Sequence, residues 1–175
     1  MSNQRKIQEL LHAKEDNNQT WDERFIDIAR EVSSWSTCIR FGYHNGALLV
    51  LDNKILATGC NGAPDKIRSC NDRGFCIRKK MGIESGTKLE ICYALHAEQN
   101  AILQAARFGI SLEGATLYVL RKPCLNCFKM LINSGISRIV YQQDNFDNEV
   151  YQDIASQCDI EFKHIPFKGE DEKWV

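Results

Sequence analysis

Residues 92–106, CYALHAEQNAILQAA, place a histidine and a glutamate two positions apart where an alanine-rich helical pattern begins. On a regular helix His96 and Glu98 would point in different directions, because only residues three or four apart share a face. At a helix entrance the backbone is only half helical, and both side chains can turn toward one point. The free N–H groups and the positive end of the helix dipole there favour an anion or a hydroxide.

A second motif, KPCLNC, places Cys124 and Cys127 three residues apart at the start of another predicted helix. Both thiols then lie on one face, and the helix dipole favours the thiolate that binds metal ions. Two thiolates and the imidazole of His96 would give zinc three protein ligands and leave a fourth position open, which is typical of catalytic zinc. Glu98 would be the nearby carboxylate that moves protons without binding the metal.

Each motif alone has a simpler interpretation. A Cys-x-x-Cys pair is more often half of a structural zinc site or a redox pair, and an isolated histidine is more often a core or surface group. Together, His-x-Glu at one helix start and Pro-Cys-x-x-Cys at another form the signature of zinc deaminases that act on nucleobases. We therefore predict a zinc-dependent deaminase with Glu98 as its catalytic residue.

Length, charge and cysteine usage limit the classes of protein to which this chain can belong. With 175 residues, the chain is expected to form one domain whose core needs no disulfides. Its formal net charge of −1 differs from the basic character of nucleic-acid binders and favours a small-molecule ligand. The start MSNQRKIQEL has no signal-peptide core, and no run approaches the roughly 18 apolar residues of a membrane span, so we expect a cytoplasmic location. There, eight cysteines indicate metal ligands, reactive thiols or buried apolar groups.

The first half of the chain begins with a polar extension, residues 1–19, before the domain predicted over residues 20–166. Thr20 is the predicted N-cap of the first helix. GALLVL and KILATG flank two polar residues as a predicted hairpin, and residues 60–91 form a long irregular insert. The apolar face of the first helix is predicted from side chains at three- and four-residue steps, namely Trp21, Phe25, Ile28, Val32 and Trp35.

Helices and strands alternate in the second half. A helix over 97–108 ends at Gly109, ATLYVL is a strand, and the helix after Pro123 ends at Gly135. RIVYQ is the next strand, a helix follows near residue 150, IEFKHI is the last strand, and residues 167–175 are a polar tail. This alternation predicts an α/β domain whose helices cover a mixed sheet.

Five segments, in this order, resemble the deoxycytidylate (dCMP) deaminases of the cytidine deaminase superfamily: TGCNGAP, HAEQNAI, GATLYV, PCLNC and SGISRIVY. The resemblance covers about residues 20–165. It implies a three-layer α/β/α sandwich with a mixed central sheet and hydrolysis of dCMP to dUMP and ammonia. It also implies that His96, Cys124 and Cys127 hold the catalytic zinc, that Glu98 shuttles protons, and that Asn61 contacts sugar and base.

One further substrate contact is expected, and the sequence departs from the family pattern at three positions. The Ala97 amide is expected to contact the pyrimidine because the helix entrance fixes it. Cys60 and Lys66 stand where the family's loop has tyrosine and glycine, and Asn45 stands where the family has an apolar residue. Phe146 is the aromatic expected after RIVY, and it either stacks on the base or packs against the core.

Alternative functions stay open at this point. A tRNA adenosine deaminase shares the zinc signature, but the acidic balance disfavours a phosphate-rich polymer. A riboflavin-pathway deaminase usually has a second Pro-Cys segment, which this sequence lacks. A zinc-stabilised binding module without turnover would have no need of an unliganded Glu98. The family usually forms homo-oligomers, and we expect one here. Five cations of the insert either hold a 5′-phosphate or are solvated: Lys66, Arg68, Arg73, Arg78 and Lys79.

Four further cysteines suggest a second zinc. Cys38 is predicted to end the first helix, Cys70 and Cys76 lie in the insert, and Cys92 precedes His96 by four residues. Each alone is most simply a buried thiol. The insert, however, is too polar to be ordered by apolar burial, and four thiolates around a closed structural zinc would hold it against the helix entrance. Because relatives in the resembled family carry a second zinc at matching places, we predict two zinc ions per chain.

Overall fold

The computed structural model describes residues 19–144 and 148–167. Phe146, residues 1–18 of the predicted extension and residues 168–175 of the predicted tail lie outside the described residues. The helices are α1 (Trp21–Ser33), α2 (Cys70–Arg73), α3 (Ile77–Lys80), α4 (Ala97–Phe108), α5 (Leu125–Asn133) and α6 (Glu149–Ser156). Within the described ranges, none of them has the length and apolar character needed to cross a membrane. The strands are β1 (Gly46–Leu51), β2 (Lys54–Cys60), β3 (Thr116–Arg121), β4 (Arg138–Gln143) and β5 (Glu161–His164).

The described strands form one mixed sheet in the order β2-β1-β3-β4-β5. β1 is antiparallel to both β2 and β3, whereas β3, β4 and β5 run parallel. Asp52 and Asn53 have φ values of 49° and 58°, and such left-handed residues suit the tight turn that joins two antiparallel strands. The predicted hairpin is therefore confirmed.

Helices cover both faces of this sheet, because successive side chains of a strand point to opposite faces. Leu48 and Val50 of β1 are buried with α1 in one apolar cluster. Ala47 and Leu49 of the same strand are buried in a second cluster with residues of α4, α5 and α6. The predicted three-layer α/β/α sandwich is thereby confirmed.

Helix α1 begins as predicted but buries a different face. The Thr20 hydroxyl accepts a hydrogen bond from Glu23 N at 3.3 Å, and the Glu23 carboxylate accepts one from Thr20 N at 2.7 Å. The predicted apolar face is wrong at three of its five positions, because exposed fractions of 54%, 38% and 62% are found at Trp21, Ile28 and Trp35. The buried side chains are Asp22, Phe25, Ile26, Ala29, Val32 and Ser33. Because α1 ends at Ser33, Cys38 lies in the following loop and does not end the helix.

The insert between β2 and α4 consists of short turns joined by loops, as its irregular sequence predicts. It contains α2, α3 and a 3₁₀ turn at Leu89–Ile91. Gly62 and Leu95 exchange two backbone hydrogen bonds of 3.2 and 2.9 Å, which tie the start of the insert to its end. The insert therefore returns the chain to the edge of the sheet just before α4 begins.

Close packing between β2 and α4 fixes the start of α4. A Cβ atom at Gly59 would collide with the Ala97 carbonyl oxygen and the Ala101 amide nitrogen, so only glycine allows this approach. Asn100 Nδ2 donates a hydrogen bond of 2.8 Å to the carbonyl oxygen of Cys60. These contacts hold the segment that carries His96 and Glu98 against the sheet.

Candidate active site

Two helix entrances meet at the carboxyl end of β3. His96 is the N-cap of α4 and Cys124 is the N-cap of α5, and both have the extended backbone of an N-cap. Cys127 lies in the first turn of α5. The Nδ1 atom of His96 is 3.5 Å from the Sγ atom of each cysteine. The structure therefore brings together the three residues that the sequence predicts as zinc ligands.

The spacing of these three atoms fits a zinc ion. With Zn–N near 2.1 Å and Zn–S near 2.3 Å, a tetrahedral ion holds its nitrogen and sulfur ligands about 3.6 Å apart. The observed separations of 3.5 Å match this value. In the part of the chain that the structure describes, His96, Cys124 and Cys127 are the only three potential ligands whose atoms all lie within 4.8 Å of one another.

One of the two sulfurs, that of Cys124, favours the deprotonated form that metal binding needs. The hydrogen bond from Cys127 is the main cause that lowers the pKa of Cys124, and the nearby His96 lowers it further. The same hydrogen bond raises the pKa of Cys127, because the Cys127 thiol donates its proton to the Cys124 thiolate. The pair therefore loses its first proton far more easily than an ordinary thiol.

Glu98 lies in the first turn of α4 with only 3% of its surface exposed. Burial raises the pKa of Glu98 to about 7, and its Oε2 atom has no hydrogen-bond partner among the described residues. A buried carboxyl with a free oxygen is costly unless a ligand uses it. The Glu98 carboxyl can therefore gain or lose a proton near neutral pH.

A cavity of about 610 Å³ opens onto this centre. His96, Ala97, Glu98 and Cys124 line it, together with Asn61. The predicted catalytic residue, two of the three predicted ligands of the catalytic zinc and both predicted substrate contacts thus face one cavity.

The side chain of Asn61 also organises the neighbouring loop. Its Oδ1 atom accepts a hydrogen bond of 2.8 Å from Asn45 N, and its Nδ2 atom donates one of 3.0 Å to the Tyr43 carbonyl oxygen. An amide group has two donor hydrogens and two acceptor lone pairs, so one of each stays available to a ligand. Asn61 can therefore shape the cavity wall and contact a ligand at the same time.

The positive charges of the cavity differ from those that the sequence suggests. Of the five cations considered in the insert, only Arg78 lines the cavity. Three further cations line it from other segments: Arg40, Arg121 and Lys122. Sequence reasoning missed these three, because no local pattern around them indicates a ligand site. Lys122 is already neutralised, since its Nζ atom lies 3.0 Å from Asp144 Oδ1.

Lys66 has a backbone conformation that favours glycine, the residue of the family pattern at this position. Its φ value is 65°, in the left-handed region. The departure therefore adds a side chain while the chain keeps a backbone conformation suited to glycine.

The four cysteines proposed for a second zinc all line the same cavity: Cys38, Cys70, Cys76 and Cys92. Burial raises the pKa of Cys70 to about 11, and the nearby Cys92, Cys38 and Cys76 raise it further. No three of their sulfur atoms lie within 4.8 Å of one another, as the atoms of the His96 group do. The second zinc stays a prediction.

Comparisons with known proteins agree with this geometry. The family profile of the cytidine and deoxycytidylate deaminase zinc-binding region matches residues 19–143. A deoxycytidylate deaminase from Mycobacterium phage D29 is 38% identical over 130 residues, which cover 71% of this chain and 96% of the phage protein. A deoxycytidylate deaminase from Saccharomyces cerevisiae is 33% identical over 152 residues, which cover 86% of this chain. The match spans only 46% of the yeast protein, so this chain is similar to less than half of that relative.

A solved structure shares the fold. The dCMP deaminase of cyanophage S-TIM5, in complex with dCMP and dUMP, superposes with a TM-score of 0.65 at 27% identity. The match covers 82% of this chain and 95% of the phage chain.

Proposed function

Because the chain belongs to the cytidine and deoxycytidylate deaminase family, we propose that it hydrolyses dCMP to dUMP and ammonia. The observation that carries this proposal is a buried carboxyl with a free oxygen, Glu98, which lines the same cavity as two of the three proposed metal ligands. The names of the phage and yeast relatives support dCMP as the substrate. The phage structure in complex with dCMP and dUMP supports it as well.

The three ligands proposed for the catalytic zinc are His96, Cys124 and Cys127. When bound there, zinc would supply a Lewis acid that activates water for attack. The chain itself contributes the ligand set, because both helix entrances hold these side chains close together.

Glu98 is proposed to move the protons of the reaction. Its carboxylate takes a proton from the attacking water and delivers it to N3 of the cytosine ring. Carbon C4 then carries both the new oxygen and the old amino group. Glu98 takes the proton of the new hydroxyl group and passes it to the amino group, which leaves as ammonia. A pKa near 7 suits both directions of transfer, because neither form of the carboxyl is strongly favoured at neutral pH.

Two groups are proposed to orient the pyrimidine nucleotide. The Ala97 amide lies at the entrance of α4, where backbone N–H groups have no partner within the helix. It can therefore donate to an oxygen of the ring. Asn61 has one donor and one acceptor left after it has bound the neighbouring loop, and these suit a sugar hydroxyl or a base edge.

Ammonia release from a panel of substrates tests the proposed reaction. The zinc-loaded protein is assayed with cytidine, deoxycytidine, CMP, dCMP and dCTP, and with adenosine in tRNA as the control. We expect the highest kcat/KM for dCMP, with one dUMP formed for each ammonia. Turnover of adenosine in tRNA without turnover of dCMP would contradict the proposal.

A second, structural zinc is proposed at the four cysteines Cys38, Cys70, Cys76 and Cys92. Their convergence on one cavity supports it, as does the polar insert that such an ion would order. The sulfurs would have to move closer together on binding. Thiol protons must leave, so metal uptake should depend on pH.

Metal content tests the second site. Purified protein should hold two zinc ions per chain, and Cys70→Ser should hold one. Hydrogen exchange over residues 60–91 should then become faster in this variant, while dCMP turnover persists because the His96 site keeps its ion. Cys158→Ser, at a half-buried thiol outside the cavity, is the control. One zinc per wild-type chain, together with free alkylation of Cys70 under native conditions, would refute the second site.

Homo-oligomer formation and a cytoplasmic location also stay proposals. The family resemblance of the sequence supports the first, and eight cysteines without a disulfide support the second. Light scattering of the purified protein would measure its mass in solution, and a single-chain mass at micromolar concentration would contradict the first.

A further inference from the structure

Gln99 lies in the first turn of α4, one residue after Glu98, and its side chain contacts both helices that carry the proposed zinc ligands. Its Oε1 atom accepts a hydrogen bond of 2.8 Å from His96 N. Its Nε2 atom lies 4.0 Å from the Sδ atom of Met130 on α5. Gln99 is half-buried and is not among the residues that line the cavity, so it does not offer a direct contact to a nucleotide.

The hydrogen bond to His96 N belongs to a capping box. In this motif the side chain three residues after the N-cap accepts a hydrogen bond from the N-cap amide. Helix α1 has the same arrangement, because Glu23 Oε2 accepts a hydrogen bond of 2.7 Å from Thr20 N. Thr20 only begins a helix, whereas His96 also offers its ring to a metal ion. At α4 the same bond therefore fixes the main chain from which a proposed zinc ligand projects.

The main chain of His96 is held at both of its polar atoms. Its carbonyl oxygen accepts a hydrogen bond of 3.0 Å from Asn100 N, and its amide donates to Gln99. The preceding residue, Leu95, exchanges two backbone hydrogen bonds with Gly62. Without Gln99, the His96 amide would lose its side-chain acceptor, and the ring would lose one of the restraints on its direction.

The contact with Met130 extends the same side chain to the second helix. Met130 lies three residues after Cys127, so these two side chains share a face of α5. The Nδ1 atom of His96 is 3.5 Å from Cys127 Sγ, and this separation depends on the distance between α4 and α5. Gln99 reaches from the His96 amide to the face of α5 that carries Cys127, and it therefore helps to set that distance.

We propose that Gln99 is a positioning residue of the metal centre, which holds His96 at the direction and distance that metal binding with Cys124 and Cys127 requires. This assignment rests on the proposed zinc-dependent function, and it adds to that function a residue that touches neither the metal nor the substrate. Loss of an outer partner of a metal ligand typically lowers metal affinity or activity by about 10- to 100-fold. Because Gln99 binds the main chain of His96 and not its ring, we expect the lower end of this range.

Two substitutions of Gln99 distinguish the hydrogen bond from the bulk of the side chain. Methionine keeps the length but has no oxygen acceptor, so Gln99→Met should bind zinc about 10-fold more weakly than the wild type in competition with a chelator. Glutamate keeps the acceptor, so Gln99→Glu should bind zinc at least as tightly as the wild type. All proteins in this comparison carry Cys70→Ser, which removes the second ion proposed at the four cysteines.

Glu23→Met is the matched control, because it removes the same kind of capping bond from α1, outside the cavity. In the metal-free proteins, Gln99→Met and Glu23→Met should lower the melting temperature by a similar amount, about 2–4 °C. Zinc affinity should fall only in Gln99→Met. Equal zinc affinity in Gln99→Met and the wild type would overturn the assignment. An equal loss of affinity in Glu23→Met would overturn it too, because the effect would then follow from stability alone.

Cobalt spectra and kinetics test the same role by geometry. The visible absorption of a cobalt-loaded protein reports the arrangement of its ligands, so the bands should shift in Gln99→Met and return in Gln99→Glu. With zinc at saturation, Gln99→Met should lower kcat for dCMP by about 10-fold and leave KM within about 2-fold. Unshifted bands, or a loss confined to KM, would contradict the assignment. If the wild type turned over no cytosine substrate, the proposed reaction would fail, while zinc affinities and cobalt spectra would still decide the role of Gln99.

Discussion

Two groups of basic side chains in this protein have opposite surroundings. On α1, the buried carboxylate of Asp22 accepts hydrogen bonds from Arg138 at 2.7 and 2.9 Å, from Lys163 at 2.6 Å and from Tyr118 at 2.8 Å. Together these hydrogen bonds lower the pKa of Asp22, although burial alone would raise it. In the cavity, the charges of Arg40, Arg78 and Arg121 act on Tyr43, and none of the three forms an ion pair with a carboxylate among the described residues.

The contrast shows how the same residue type can serve folding or binding. Arg138 is compensated within the chain, so its charge contributes to the folded state and leaves nothing for a ligand. The cavity arginines carry charge that the described chain does not compensate, which is the pattern of a site prepared for an anion. Each prediction below changes one side of this comparison.

The largest effect on stability is expected for Asp22→Ala. This substitution leaves Arg138 and Tyr118 without their shared acceptor, and breaking a buried pair costs about 3–5 kcal/mol. Because Lys163 is 44% exposed, we expect the lower end of that range, about 3 kcal/mol. Urea unfolding measures the loss, and the exposed Asp159→Ala serves as the control. A change below about 1 kcal/mol would show that the cluster is not a structural centre.

Acid should remove the same contribution. The pKa of Asp22 is lower in the folded chain than in the unfolded chain, so its contribution is fully present above the unfolded value near 4 and is lost as the pH falls through the acid range. The stability difference between the wild type and Asp22→Asn should therefore shrink steadily from pH 5 to pH 3. Acid also displaces metal, but it does so equally in both proteins. A difference independent of pH would contradict this account.

Asn45→Val should have a smaller effect of opposite sign. Asn45 is 9% exposed and its Oδ1 atom has no partner within the described chain. Replacing an unsatisfied buried acceptor with an apolar side chain should raise stability by about 1 kcal/mol. Asn61→Ala is the paired comparison, because its amide group binds two backbone atoms and its loss should lower stability by about 1–2 kcal/mol. A loss of stability in Asn45→Val would show that its side chain supports the fold.

The smallest effect on stability is expected for Arg121→Gln. Because glutamine can still donate to the Gly42 carbonyl oxygen, and this residue has no carboxylate partner in the described ranges, its replacement should change the free energy of unfolding by less than about 1 kcal/mol. A loss of dCMP turnover in this variant would then reflect binding and not unfolding. Destabilisation comparable to that of Asp22→Ala would erase the distinction between the two groups.

The metal centre was predictable from sequence because its parts are local. His96 with Glu98, and Cys124 with Cys127, are short motifs at helix entrances, and each can be recognised in the sequence without knowledge of its tertiary neighbours. The hairpin at Asp52-Asn53 was predictable for the same reason, since a two-residue turn carries its own signal.

Long-range pairing explains what the sequence did not reveal. Periodicity placed Trp21 on the buried face of α1, whereas the structure buries Asp22, whose partner Arg138 lies 116 residues away. The approach of Arg40 and Arg121 to one tyrosine likewise depends on how the loop before β1 meets the end of β3. Neither pairing produces a pattern in the local sequence, so both can be seen only in the folded structure.

Zinc content and ammonia release, measured on the same preparations of wild type and Glu98→Gln, test the central claim most directly. Glutamine keeps the shape of the side chain but cannot exchange the protons, so dCMP turnover should fall by at least about 100-fold. Zinc content and melting temperature should stay unchanged, because Glu98 is not among the three ligands. Unchanged ammonia release from a zinc-loaded, folded Glu98→Gln protein would contradict the account.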